Sequence, residues 1–235
     1  MEKTKNIEFR NMLKGFGVLF FYLIASALPY DFISLFGVNY NNLSITLKSI
    51  YLLFYEIGIT IIIIYVYRND FIPNFKDFIK NNITYFKKYI KYWFIMLGLM
   101  MLSNLIIINF TSSNISENQE TIIETLKFAP IYTFIVTVFV APILEELVFR
   151  LSFRKMFAHT NTLFIIFSGL LFGSMHVIGN FNELIDLLFI IPYSIPGFIF
   201  AYIYTKSKNI CVPISIHFIH NGIMMCLNIL LLLVS

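Results

Sequence analysis

Residues 129–150 read APIYTFIVTVFVAPILEELVFR, an apolar run that ends in two glutamates and an arginine. About 20 mainly apolar residues in a row predict a transmembrane helix. A charged side chain inside a bilayer costs several kcal/mol, so charges in such a segment indicate a functional site. We therefore take Glu145, Glu146 and Arg150 as the first candidate site residues. The alternative is an ordinary charged boundary where the helix meets the cytoplasm.

The composition of the whole chain also indicates a membrane protein. Of its 235 residues 58% are hydrophobic and 13% are charged, and the mean hydropathy is +0.79. A soluble domain has about 25% charged residues, so a bilayer is the natural solvent for this chain. The net charge of +4 is too small to indicate a nucleic-acid partner. We expect an all-α, polytopic membrane helix bundle whose surroundings are lipid.

The apolar segments number seven, and each is close to spanning length. They are Gly15–Phe36, Ser49–Tyr67, Tyr89–Phe110, Ala129–Phe149, Leu163–Ile178, Leu184–Thr205 and Ile210–Val234. Between the second and third, phenylalanines and lysines interleave over residues 71–88, which predicts an amphipathic helix on the membrane surface. We predict one integrated domain, with helices 1–3 and this surface segment in residues 1–128, and with helices 4–7, the core that carries the first candidate site residues, in residues 129–235.

The lysines and arginines predict the orientation. If the N-terminus is cytoplasmic, 15 of the 17 basic residues lie on the inner side, and only Lys48 and Lys127 lie outside. This asymmetry favours a multi-pass protein of the plasma membrane with a cytoplasmic N-terminus. The alternative for the first segment is a signal peptide cleaved near Ala25-Ser26-Ala27.

The two cysteines should be free thiols. Cys211 and Cys226 fall in one predicted helix, 15 positions and roughly 22 Å apart, whereas a disulfide needs Cα atoms within about 7 Å.

Further polar residues fall in the later spans. Residues four apart share a helix face, so Glu146 can pair with Arg150, while Glu145 points about 100° away and is left to face a cavity. His217 and Asn221 are also four apart, with His220 nearby, and His176 lies in the fifth span. Each of these alone could be a core histidine or an interhelical hydrogen bond. Glu56 in the second span has no assigned role.

Spacing argues that these residues form one site. Glu145 and His176 are each about 15 residues from the turn predicted near residues 159–161, so an antiparallel hairpin places them at the same height. His217 lies about nine residues beyond the turn predicted at Lys208. The three helices can therefore converge on one site.

The spacing of these polar residues resembles the motifs of a known family. Glu145-Glu146-x-x-x-Arg150, Phe172-x-x-x-His176 and His217-x-x-x-Asn221 match, in order, the three motifs of the CPBP family, which holds the type II CAAX prenyl proteases and the Abi bacteriocin-processing enzymes. The resemblance covers about Pro130 to Asn228. It implies an intramembrane endopeptidase in which Glu145 activates a water with help from His176. It also implies that His217 and Asn221 stabilise the oxyanion, while Glu146 and Arg150 shape the site.

The metal requirement is left open by the residues. Two histidines and one carboxylate resemble a catalytic zinc set, which here would be Glu145, His176 and His217. The His-Glu-x-x-His pattern of soluble zinc proteases is absent. The family is often labelled a metalloprotease family, but a metal-free glutamate mechanism fits the same residues, and we favour it slightly over an obligatory Zn²⁺.

Three functions compete at this stage. An intramembrane protease is favoured, with a membrane-associated peptide or protein as its substrate. Processing of a CAAX protein, a pheromone or a bacteriocin leader, or self-immunity, is equally open. A non-catalytic membrane regulator or scaffold is the first alternative. A small transporter is the second, since intramembrane acids and histidines also mark proton paths. The sequence does not indicate the oligomeric state.

Overall fold

The computed structural model describes residues 2–110, 115–178, 181 and 183–234, and every regular element in that part of the chain is helical. Nine helices follow one another in these described ranges, which confirms the all-α prediction. They are α1 (Glu2–Ala27), α2 (Pro29–Ser34), α3 (Ile45–Val66), α4 (Arg68–Ile107), α5 (Glu117–Phe128), α6 (Pro130–Met156), α7 (Asn161–Met175), α8 (Leu184–Ser207) and α9 (Cys211–Val234). A short 3₁₀ turn at Tyr40–Asn42 precedes α3.

Five of these helices are long and apolar enough to cross a bilayer, namely α3, α4, α6, α8 and α9. The chain is therefore a multi-pass integral membrane protein. The other two predicted spans correspond to α7, which is apolar but only 15 residues long, and to α1, whose first half is charged. The count of seven spans stays a prediction.

The first predicted span, Gly15–Phe36, differs from the structure. Helix α1 already begins at Glu2 and ends at Ala27, and the separate short helix α2 follows. The break lies at Leu28, whose backbone leaves the helical region, with Pro29 as the first residue of α2. Proline disfavours a helical conformation in the residue before it and has no N–H to donate, so the helix cannot run through this point.

The predicted surface segment and the third predicted span form one continuous helix, α4. Its 40 residues extend over about 60 Å, roughly twice the thickness of the hydrocarbon core of a bilayer. Residues 71–88 therefore form the first half of a long helix rather than a separate surface helix.

Helix α6 is the centre of the bundle. It contacts α1, α3, α7, α8 and α9, and each residue from Glu146 to Phe153 is buried. Two parts of it, Val136–Val140 and Glu146–Ser152, are wound as π-helix. Side chains bond to three carbonyl groups in these parts: Asn221 to that of Thr137, Ser152 to that of Leu147, and Ser168 to that of Phe149. Such π-segments often occur at functional sites.

Helices α7 and α8 pack tightly against each other. A Cβ atom added to Gly197 would lie 2.7 Å from the Cα atom of Gly169, so the two backbones touch at this crossing. The predicted turns before α7 and α9 are confirmed, because α7 begins at Asn161 and Lys208 ends α8 in a left-handed conformation. Cys211 and Cys226 are both free thiols, as predicted.

Candidate functional site

A fully buried ion pair lies at the centre of the site. Arg150 Nε is 3.1 Å from Glu146 Oε2, and both side chains have no exposed surface. The pairing of residues four apart on α6 is therefore confirmed. The two atoms do not have hydrogen-bond geometry, so the contact is mainly one between opposite charges.

Two aromatic rings cover the guanidinium group of Arg150. Its Cζ atom lies 4.4 Å from the ring centre of Phe172 on α7 and 5.4 Å from that of Phe200 on α8. Each of these phenylalanines is three residues beyond the glycine at which α7 and α8 touch. The faces of aromatic rings attract cations, and the attraction is stronger where water is excluded. The crossing thus brings both rings to the same buried charge.

His217 joins the two glutamates. Its Nδ1 lies 3.1 Å from Glu146 Oε1 and its Nε2 lies 3.8 Å from Glu145 Oε2, and the ring stacks on Phe200 with 4.7 Å between centres. An ionised carboxylate only accepts hydrogen bonds, so Nδ1 carries the proton that is donated to Glu146. In the neutral ring Nε2 is then the basic nitrogen, and it faces Glu145.

The two adjacent glutamates have different surroundings. Glu146 is completely buried between Arg150 and His217, whereas the side chain of Glu145 keeps 16% of its surface exposed. Among the described residues, Glu145 has no bonding partner as close as those of Glu146. The geometry therefore suits a structural role for Glu146 and leaves Glu145 accessible for chemistry, the division that helix phase predicts.

Asn221 lies on the same face of α9 as His217, and both side chains contact α6. The side-chain Nδ2 of Asn221 donates a hydrogen bond of 2.8 Å to the carbonyl of Thr137, inside the first π-segment. This bond uses one of the two N–H groups of the amide, so a second donor is left. Asn221 therefore has a structural contact in addition to its predicted role.

His176 lies beside the group formed by Glu145, Glu146 and His217 rather than within it. It follows the last residue of α7, and its Nδ1 bonds to the carbonyl of Phe172 at 2.8 Å. Its ring packs on Phe172 and stacks on Tyr193, with centres 4.6 and 5.0 Å away. In the described parts of the chain no hydrogen bond or ion pair joins His176 to Glu145. Phe172 lies between His176 and His217, at 6.0 Å from the latter ring.

The candidate zinc ligands do not converge. Within the residues that the structure describes, no three His, Cys, Asp or Glu side chains form a group that could hold a metal ion. Glu145 and His217 are close to each other, and Nδ1 of each histidine is bonded, to Phe172 in His176 and to Glu146 in His217. Such a bond leaves Nε2 free and is common in histidines that bind metals. Because no group of ligands converges in the described part of the chain, the structure does not fit the predicted set of Glu145, His176 and His217, and we derive no catalytic step through zinc.

Two residues without an assigned role also have a place near the site. The hydroxyl of Tyr132 on α6 donates a hydrogen bond of 2.9 Å to Glu56 Oε1 on α3. This intramembrane acid therefore has a polar partner. His220 is buried beside His217, and its Nδ1 has no hydrogen-bond partner among the described residues. The sequence shows Glu56 as a charge in an apolar span, but it does not indicate the partner, which is 76 residues away.

Comparisons with known proteins agree with this arrangement. Residues 127–223 match the family model described as type II CAAX prenyl endopeptidase Rce1-like. The chain is 35% identical over 108 residues to the "Putative membrane peptidase YdiL" of Bacillus subtilis (strain 168), covering 45% of this chain and 41% of YdiL. It is 31% identical over 158 residues to the "Membrane-embedded CAAX protease MroQ" of Staphylococcus aureus (strain USA300), covering 61% of this chain and 60% of MroQ. The matches thus span about half the length of these relatives. No solved structure matches.

Proposed function

We propose that this protein is an intramembrane peptidase, because residues 127–223 match the family model described as type II CAAX prenyl endopeptidase Rce1-like. Its substrate would be a membrane-associated peptide or protein. The observation that carries the proposal is the junction of Glu145, Glu146 and His217, a buried acid–base group on two helices of a membrane bundle. The names of YdiL and MroQ support the same class of reaction.

Glu145 is the proposed general base. A carboxylate that is held beside the reacting group can accept a proton and later return it. The 3.8 Å between Glu145 Oε2 and His217 Nε2 is too long for a direct hydrogen bond. A water molecule that lies to one side of this pair can bond to both atoms. Glu145 would take its proton as the oxygen attacks the peptide carbonyl, and would then pass that proton to the leaving amine.

The remaining site residues orient His217 and stabilise the oxyanion. Glu146 fixes the ring of His217 through Nδ1, and Arg150 balances the charge of Glu146. Asn221, through its second N–H, is the proposed donor to the oxyanion. The family resemblance gives His217 the same role, which requires a proton on Nε2. One such donor contributes about 3 kcal/mol to transition-state stabilisation. For His176 we keep the predicted role of assisting Glu145. Its position behind Phe172 requires that it act through substrate or solvent rather than by direct contact.

The substrate class can be narrowed by comparing membranes. Cells that carry the wild-type protein, Glu145→Gln or the exposed-site control Glu120→Gln would be compared by mass spectrometry of their membrane peptides. We expect fragments that are present with the wild type and the control but absent with Glu145→Gln. An identical set of fragments in all three strains would contradict the peptidase proposal. Cells that behave normally with Glu145→Gln would instead favour the regulator or scaffold. The sequences of the fragments would show whether the substrate is a CAAX protein, a pheromone or a bacteriocin leader.

A further inference from the structure

The first half of α4 carries an exposed apolar stripe. Its residues are three or four positions apart, as one helix face requires, and at 100° per residue they fall within an arc of about 80°. Each keeps between 47% and 67% of its surface exposed: Ile72, Phe75, Ile79, Ile83 and Phe86. Nothing in the described part of the chain covers this stripe.

A row of lysines borders the stripe along one side. Lys76, Lys80, Lys87 and Lys91 are exposed and extend over about 22 Å of helix. None of the four forms an ion pair with a carboxylate in the described residues. The acids of this segment are engaged on its other side: Asp70 pairs with Lys155, and Asp77 accepts hydrogen bonds from Tyr85, Asn81 and Asn209. The row therefore presents positive charge that the protein itself does not neutralise.

The opposite face of the segment is fixed to the catalytic helices. Asn209, buried just before α9, donates hydrogen bonds of 2.8 Å to the backbone carbonyl of Asn74 and to the carboxylate of Asp77. The backbone N–H of Ile210 donates to the side chain of Asn74 at 2.7 Å, and the Asp70–Lys155 ion pair joins the start of α4 to the end of α6. These bonds hold the stripe and the lysine row away from the protein.

We propose that residues 71–91 form a binding surface for acidic phospholipids. The lysine ammonium groups would pair with headgroup phosphates while the apolar stripe enters the adjoining acyl layer. The apolar stripe favours a phospholipid over an acidic protein segment, because such a segment would pair with the lysines but leave five large apolar side chains in water. This inference concerns a surface outside the catalytic group, and it does not depend on the proposed peptidase activity.

The test counts the lipids that stay with the full-length protein. The protein would be reconstituted with phosphatidylglycerol and phosphatidylcholine in equal amounts, extracted mildly, and analysed by native mass spectrometry. The variant Lys76→Gln/Lys80→Gln/Lys87→Gln would be compared with Arg10→Gln/Lys48→Gln/Lys127→Gln, which removes the same charge elsewhere. We expect the retained ratio of acidic to zwitterionic lipid to fall about tenfold in the first variant and to stay within about twofold of wild type in the second.

A second measurement needs no variant. For the wild type, raising the salt concentration about tenfold during extraction should lower the retained ratio towards one, because the contacts are exposed ion pairs. Equal retention of both lipids by the wild type would overturn the proposal, as would equal losses in the two variants. Binding of an acidic soluble peptide that depends on Lys76, Lys80 and Lys87, with lipid retention independent of them, would assign the surface to a protein partner and would also overturn it.

Discussion

At the scale of single residues, Glu146 holds the site together. One of its oxygens faces Arg150 and the other faces His217, all within buried surroundings. Burying these charges costs several kcal/mol per ion, and this cost is offset only while the partners are together. The same residue therefore links stability to the orientation of His217.

Removing the charge of Arg150 should leave Glu146 uncompensated. We expect Arg150→Met to lower the free energy of unfolding by about 3–5 kcal/mol, because a buried carboxylate then has no cation beside it. Denaturant unfolding of the purified protein would measure this loss. The exposed control Arg10→Met should change it by less than about 0.5 kcal/mol.

The double variant Glu146→Gln/Arg150→Met tests whether the unpaired carboxylate causes this loss of stability. If pairing is the cause, the double variant should lose clearly less stability than the sum of the two single variants, since neither charge is then left alone. Additive losses would show that the two residues act independently and would contradict this explanation.

The Tyr132–Glu56 hydrogen bond gives a second prediction at this scale. Tyr132→Phe removes the donor and leaves an intramembrane carboxyl group without it, so we expect a loss of about 1–3 kcal/mol in the free energy of unfolding. Tyr65→Phe, which changes a tyrosine with 64% of its surface exposed, is the matched control. Equal stability of both variants would show that Glu56 does not need this partner.

At the scale of elements, the crossing of α7 and α8 determines the surroundings of Arg150. The backbones touch at Gly169 and Gly197, and the phenylalanines one turn further on cover the guanidinium group. Small residues at such crossings allow close packing of membrane helices, where the hydrophobic effect contributes little. The shape of the site thus depends on residues that never contact the reacting groups.

Gly197→Ala should therefore be harmful although it adds one methyl group. The new Cβ would lie 2.7 Å from the backbone of Gly169, which cannot move aside as a flexible side chain can. We expect a loss of about 1–3 kcal/mol in the free energy of unfolding, from the cost of overpacking. Gly98→Ala on α4 meets no atom within 4 Å. It should be neutral or slightly stabilising, and a similar loss in both variants would contradict the prediction.

How much of this the sequence can predict depends on the distance between partners along the chain. The Glu146–Arg150 pair and the shared face of His217 and Asn221 follow from spacing within one helix. The alignment of heights did not bring His176 into contact with Glu145, because Phe172 fills the space between His176 and His217. The π-helical parts of α6 and the ring of Phe200 gave no signal, since both depend on how separate helices meet. The break at Pro29 could have been predicted from the effect of proline on the preceding residue.

At the scale of the whole molecule, the uneven distribution of basic residues predicts the orientation in the membrane. Lys127 lies at the end of α5, and Lys206 lies in the last turn of α8, next to the turn that precedes α9. Both side chains are exposed. The positive-inside rule places Lys127 outside the cell and Lys206 in the cytoplasm.

Cysteine labelling tests this orientation. In a Cys211→Ala/Cys226→Ala background, an impermeant maleimide added to intact cells should label Lys127→Cys and should label Lys206→Cys only after the cells are opened. The reverse pattern would contradict a cytoplasmic N-terminus. Labelling of both positions in intact cells would contradict the number of membrane crossings between them.

The central claim is that Glu145 activates a water beside His217 for peptide hydrolysis within the membrane. It is tested most directly in vesicles that contain only the purified protein and a membrane peptide identified from cells, with the cleavage rate followed by mass spectrometry in H₂¹⁸O. We expect one ¹⁸O atom in the new carboxyl terminus, a rate lowered about 10²–10⁴-fold in Glu145→Gln, and an unchanged rate in Glu120→Gln. Cleavage by Glu145→Gln at the wild-type rate would contradict the claim.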